Sequence, residues 1–221
     1  MKPFSVYILL ALIFVNKINA QTTDASKESH HKVILENEYI RLLDGKVSVN
    51  DTTLAHTHSS NSVVVFLSKS KFGIQNIGGK PVITDVSPGD VIYRSFGDKP
   101  VNHIVWNQSA PMLHFLVVDL MKKKLSKDSC AMISLGGMNV QLRKKEARVY
   151  RLEITNGQHV NVPNSNCAYL LVALSGNSKV GTKGNMKSLS PDGFVFFPPK
   201  SEIVISNADS KGSSFILVEL K

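Results

Sequence analysis

Two tandem copies of one small β unit account for most of this 221-residue sequence, and three observations predict that all-β fold class. From Val33 onward the chain is a series of short, apolar, β-branched runs (VVVFL, FGIQNI, PVITDV, DVIYRSF, HIVWN, LHFLVVDL) separated by Gly, Pro, Asn, Asp and Ser, which is how strands of a sandwich or barrel read. No segment sustains the 3.6-residue period of an amphipathic helix. The third observation is an internal repeat in conserved order. Tyr39–Leu43 resembles Val149–Glu153, Val63–Ser68 resembles Leu170–Ser175, Ser87–Tyr93 resembles Ser190–Phe196, and Phe115–Leu120 resembles Phe215–Leu220.

The elements follow in order. Met1-Lys2, the apolar run Val6–Val15 and the small residue Ala20 before Gln21 have the layout of a secretory signal peptide over residues 1–20. That run is too short to span a bilayer, which needs roughly 20 apolar residues, and no later segment is long or apolar enough. The mature chain is therefore expected outside the cytoplasm, secreted or periplasmic. Residues 21–32 (QTTDASKESHHK) are polar and aperiodic and read as a flexible lead, with His30 and His31 as solvated side chains. Residues 33–120 form the first β unit, 121–141 a Lys- and Gly-containing linker, and 142–221 the second unit.

Loss of residues 1–20 leaves 24 Lys and Arg against 17 Asp and Glu, a formal net charge of +7. The excess sits partly in Lys122-Lys123-Lys124 and Arg143-Lys144-Lys145, without interleaved aromatic residues or any nucleic-acid-reading pattern. It reads as solvated surface, and no nucleic-acid partner is expected. Cys130 and Cys167 are the only cysteines. An oxidising compartment permits one bridge between them, and two buried free thiols are the alternative. The sequons Asn50-Asp51-Thr52 and Asn107-Gln108-Ser109 matter only in a host that glycosylates secreted chains.

Chemistry enters at LAHTHSSNSVVVFL, residues 54–67. Side chains two apart on a strand share a face, so His56 and His58 can reach one point. An HxH alone is a weak metal signal. With the repeat beside it, the chain resembles the cupin superfamily, and specifically a bicupin, over nearly its whole mature length. The resemblance implies two tandem jelly-roll barrels, each a double-stranded β-helix whose inner faces surround a cavity. His56 and His58 match the HxH of the first cupin motif. Gly89, Gly97, His103 and Asn107 match positions of the second, His103 and Asn107 keeping its His-x3-Asn.

The departures are specific. No carboxylate stands at Ser62 or Val63, where the motif glutamate falls; Asn50 and Lys69 or Ser70 replace its glycines, and Ser95 replaces the proline of the second motif. Five residues separate Gly97 from His103 where the family has two. In the second half the alignment puts Pro163, Ser165 and Ile203 opposite His56, His58 and His103, so that half lacks the ligands. His159 stands alone there. His114 reads as a hydrogen-bonded strand residue, and Phe66, Tyr93, Phe96 and Trp106 are candidates for a pocket wall, although aromatic side chains in a barrel are more often plain core.

The resemblance thus implies one divalent metal (Fe, Mn, Ni, Cu or Zn) on His56, His58 and His103. Three neutral ligands leave the full +2 charge, which favours a small anionic partner. Two functions follow: a metal-dependent oxidoreductase of dioxygenase type, or a non-catalytic small-ligand-binding or interaction module. No G-x-S-x-G elbow, P-loop or paired carboxylates support hydrolysis or phosphoryl transfer. Because two barrels can pair within one chain, a monomer or a homodimer is expected.

Overall fold

The computed structural model of the chain describes residues 22–121, 130–208 and 210–221. The signal peptide expected over residues 1–20 lies outside them, as does Lys122-Lys123-Lys124. The first half comprises β1 (Thr23–Asp24), β2 (His31–Glu36), β3 (Ile40–Val47), β4 (His56–His58), β5 (Ser62–Phe66), β6 (Ser70–Asn76), β7 (Val82–Val86), β8 (Val91–Arg94), β9 (Val101–Asn107) and β10 (Leu113–Leu120). The second comprises β11 (Met138–Arg143), β12 (Ala147–Ile154), β13 (His159–Val162), β14 (Ala168–Ser175), β15 (Ser178–Thr182), β16 (Asn185–Leu189), β17 (Phe194–Phe197), β18 (Ile203–Asn207) and β19 (Ser213–Leu220). Each half folds into two facing sheets, ordered β1-β4-β9-β6-β7 and β2-β3-β10-β5-β8 in the first, β13-β18-β15-β16 and β11-β12-β19-β14-β17 in the second. Strand for strand the two halves match, and β1 alone has no counterpart. No helix among the described residues is long and apolar enough to cross a membrane.

The β2-β3-β10-β5-β8 and β11-β12-β19-β14-β17 sheets are buried on both faces at their centres, which explains why those strands read as unbroken apolar runs rather than alternating ones. Leu42, Val63, Val65, Leu116 and Val118 of the first half pack against Val149, Leu170, Val172, Ile216 and Val218 of the second, a core shared between the barrels. The residues between them point the other way: Leu43, Phe66, Phe115 and Val117 into the first barrel, Tyr150, Tyr169, Leu171, Phe215 and Leu217 into the second. At Gly89, φ is +88° and an added Cβ would lie 2.7 Å from the Leu174 side chain, so this motif glycine both makes its turn and lets the barrels approach.

Three expectations change. The described part of the lead is built into the first barrel: β1 runs parallel to β4, a 3-10 turn (Ala25–Lys27) follows, and β2 starts at His31. Its polarity misleads because those polar groups bond one another. β11 begins at Met138, inside the span read as linker. The first repeat segment is also shifted by three residues, since pairing with the closing strands sets Arg41 opposite Asp119 and Arg148 opposite Glu219. Arg148, not Arg151, is therefore the counterpart of Arg41. Cys130 and Cys167 form a disulfide with Cα atoms 6.0 Å apart, which settles the alternative of free thiols.

Candidate metal centre

Four histidines converge inside the first barrel. β4 and β9 pair antiparallel with His56 directly opposite His103, and alternation turns His58 to the same side as His56. Ring centroids lie 4.6 Å apart for His56 and His103, 5.1 Å for His56 and His58, and 5.1 Å for His58 and His103. The lengthened loop before β9 does not displace His103. It carries Phe96, whose ring lies 5.7 Å from that of His58.

His31, read from the sequence as solvated, is the fourth. Its ring centroid is 4.8 Å from that of His56 and 5.9 Å from that of His58, and it is 5 % exposed. β2 brings it there by pairing His31 with Gly45. A Cβ on Gly45 would fall 2.4 Å from the Phe115 ring, so the glycine leaves room for that ring, which stacks edge-on to His31 at 5.7 Å. Ligating atoms of His31, His56 and His58 all lie within 4.8 Å of one another, a compact set among the described residues.

Hydrogen bonds decide which ring nitrogens are free. His56 donates from Nδ1 to the Leu54 carbonyl at 2.8 Å, so its Nε2 carries the lone pair, and that atom is buried without a partner. His103 Nδ1 is likewise buried and unpartnered. His31 donates from Nδ1 to Glu28 Oε2 at 2.8 Å. Glu28 is 1 % exposed and also accepts from His30 Nδ1 at 2.8 Å, from the His30 backbone at 2.9 Å and from the Leu54 backbone at 3.2 Å. Burial alone would raise its carboxyl pKa; these hydrogen bonds outweigh burial and hold it well below the usual range. A carboxylate that fixes the tautomer and aim of an imidazole is the usual outer support of a metal-binding histidine. The missing motif glutamate thus has no replacement among the inner groups, but a buried carboxylate supports them from the preceding segment.

Desolvation keeps His56, His58 and His103 neutral and ready to ligate. Burial pushes His58 down to about 2, helped by His103 and His56, and pushes His103 down to about 3, helped by His56 and His31. His56 is lowered for the same reason. Three buried imidazoles whose ligating nitrogens lie within 4.8 Å of one another, among them the unpartnered Nε2 of His56, fit a transition-metal ion.

Beside the cluster is a narrow cavity of about 50 Å3, walled by Phe66, Phe72, Val105, Leu113 and Phe115 and reached by His31, His58, His103, Ser62 and Arg94. Of the four aromatic candidates, Phe66 and Phe96 line it. Tyr93 instead donates to Glu146 across the barrel interface at 3.0 Å, and Trp106 packs over Gly73. His114 turns away from the cavity and bonds Asp44 at 2.7 Å. Asn107 is structural, its amide donating to the Val47 and Pro111 carbonyls at 3.2 and 3.1 Å. In the second barrel Val162 faces Ile203 in the ladder that matches His56 and His103. Val162, rather than Pro163, is the counterpart of His56; both it and Ile203 are core hydrocarbon, 2 % and 1 % exposed. His159 is exposed on β13.

No protein-family model matches the chain, and no curated protein matches it by sequence. Solved structures do match. AerE from Microcystis aeruginosa superposes with a TM-score of 0.65 at 14 % identity, covering 88 % of this chain and 98 % of that one. A formate complex of Lactobacillus farciminis oxalate decarboxylase gives 0.61 at 10 % identity, over 84 % and 78 % of the two chains. A cupin 2 conserved barrel domain protein from Leptotrichia buccalis gives 0.57 at 10 %, over 91 % and 93 %. The fold is therefore that of the cupins, in a two-barrel arrangement.

Proposed function

We propose that this chain is an extracytoplasmic bicupin that binds one divalent metal ion in its first barrel and acts there on a small anionic molecule as a metal-dependent oxidoreductase. His31, His56 and His58 hold the ion, with His103 as the fourth imidazole. The observation that carries the reading is the buried Nε2 of His56, which has no partner while three further imidazoles surround it. When bound, such an ion supplies Lewis-acid activation of an anionic ligand, and redox chemistry if it is iron, manganese or copper. The chain's own residues hold His56 and His58 neutral, orient His31 through Glu28 and wall the site with hydrocarbon. The disulfide supports an oxidising compartment. A small carboxylate fits the narrow cavity, and one structural relative is an oxalate decarboxylase bound to formate.

A second reading, a non-catalytic binding module of the same fold, is favoured by one observation: among the described residues no carboxylate that would serve as general base lines the cavity. Elemental analysis of tag-free protein tests the shared core of both. One metal per chain is expected, and a chain that contains none and takes up none after chelation and reloading overturns it. Metal-dependent oxygen uptake with a small carboxylate present supports the enzyme; saturable binding without turnover supports the module.

A further inference from the structure

We propose that Arg94 is the anion anchor of the first barrel's cavity, taking the carboxylate of a ligand no larger than a two- or three-carbon acid. This deepens the small-anion reading above and rests on it. On β8 alternation sends Val91 and Tyr93 to the shared inter-barrel core and Ile92 and Arg94 inward. Arg94 reaches the same cavity as His31, His58 and His103.

Register shows how unusual this cation is. Arg41, Asp119, Ser62 and Arg94 lie in one row across β3, β10, β5 and β8. Arg41 is matched, its Nε donating to Asp119 at 3.2 Å, and Ser62 donates to the other Asp119 oxygen at 2.9 Å. The Arg94 side chain has no ion pair or hydrogen bond to any described residue. The second barrel supplies an internal control. Its equivalent row is Arg148, Glu219, Tyr169 and Phe197. There the ion pair persists, with Arg148 Nε 2.6 Å from Glu219, while Tyr169 and Phe197 fill the space. Where the repeat puts a core aromatic, the first barrel has an arginine, and where it puts tyrosine, a serine. Arg94 is half-buried; a permanent charge partly withdrawn from water without a counter-charge is unfavourable, and a bound carboxylate supplies the counter-charge in a geometry that a guanidinium grips with two parallel hydrogen bonds. A water needs roughly 10–15 Å3 by this measure, so about 50 Å3 admits only a few heavy atoms.

The test is calorimetric binding of formate, acetate and oxalate to the metal-replete full chain and to Arg94→Met, Arg94→Lys and Lys71→Met. Lys71 is an exposed lysine on β6 and controls for general loss of positive charge. Metal content is measured on every sample. Loss of one charged hydrogen-bonding group predicts binding about ten- to a hundredfold weaker in Arg94→Met, an intermediate loss in Arg94→Lys, no change in Lys71→Met, and equal metal content throughout. Unchanged affinity in Arg94→Met, with the native chain binding, overturns the assignment of Arg94 and leaves the small-anion reading intact. Loss of metal in Arg94→Met or Arg94→Lys overturns it too, by placing Arg94 in the metal centre. Absence of binding to the native chain overturns the small-anion reading itself.

Discussion

His56 lies directly across the β4–β9 ladder from His103, their ring centroids 4.6 Å apart, whereas the matching ladder of the second barrel sets Val162 across from Ile203. Stoichiometry follows from that contrast. Titration of the chelator-treated chain with a divalent metal should saturate at one equivalent. His58→Ala and His31→Ala should abolish tight uptake, and His159→Ala should leave it unchanged. Retention of full affinity in His31→Ala would return the third ligand to His103.

Glu28→Gln tests the outer support. The amide lacks the charge that holds two histidines and can no longer fix both tautomers. Metal affinity should fall about ten- to a hundredfold, measured by competition with a chromophoric chelator. A Glu28→Gln chain of native affinity would show that His31 is aimed by packing alone.

Acid should destabilise the metal-free protein well above the carboxylate range. His58 and His103 have folded pKa values of about 2 and about 3 against an ordinary 6.5. The unfolded chain therefore binds more protons than the folded one between those limits, and stability falls as pH drops through 6.5. His30 has the opposite sign. Burial lowers its pKa, but hydrogen bonds to Glu28 and Asp51 raise it on balance, so its contribution is present at low pH and lost as pH rises. From His58 and His103 alone, unfolding at pH 5 should take up about two protons, read from the pH dependence of urea midpoints. A flat profile from pH 7 to pH 5 would contradict a neutral buried cluster.

The shared core predicts that the barrels unfold together. Leu170 is fully buried where the two large sheets meet. Leu170→Ala should cost about 2–5 kcal/mol and shift a single urea transition. Residues 130–221, which keep β11 and the disulfide, should be poorly soluble when expressed alone, since this face would be open to water. Two separated transitions in the intact chain would argue for independent barrels.

Glycosylation offers a simpler check. Asn50 is exposed, while Asn107 is 1 % exposed with its amide bonded to two carbonyls. Expressed in a host that modifies sequons, the folded chain should carry glycan at Asn50 only, as mass spectrometry of the peptides would show.

The two-barrel fold was legible because turn residues punctuate β-branched runs and because those runs recur in order. His56 and His58 were legible because period 2 puts them on one face, and His103 by its spacing from Asn107. His31 and Glu28 were not. They lie in a polar stretch whose groups satisfy one another only after β2 has paired with β3, and that pairing is invisible to local pattern. One signal was present: of two adjacent histidines on a strand, one must face inward. The three-residue error at Arg41 has a similar origin, since VYRL resembles YIRL more closely than does the segment that actually pairs. Arg94 was not legible, because a lone arginine at a strand end is ordinary until its neighbours in the row are known.

Duplication lets one copy carry a defect that the other need not. A cavity of about 50 Å3 costs on the order of 1 kcal/mol at about 24 cal/mol per Å3, and buried histidines together with an unmatched arginine add to it. In the matching positions of the second barrel Tyr169 and Phe197 fill the row, Ile203 and Val162 close the centre, and the disulfide fastens its entry to β14. Joined through a common hydrocarbon layer, the filled copy serves as ballast for the hollow one. Substitutions that stabilise the second barrel should therefore raise the tolerance of the first to changes in its site, even though no described residue of the second barrel lines the cavity beside the histidines.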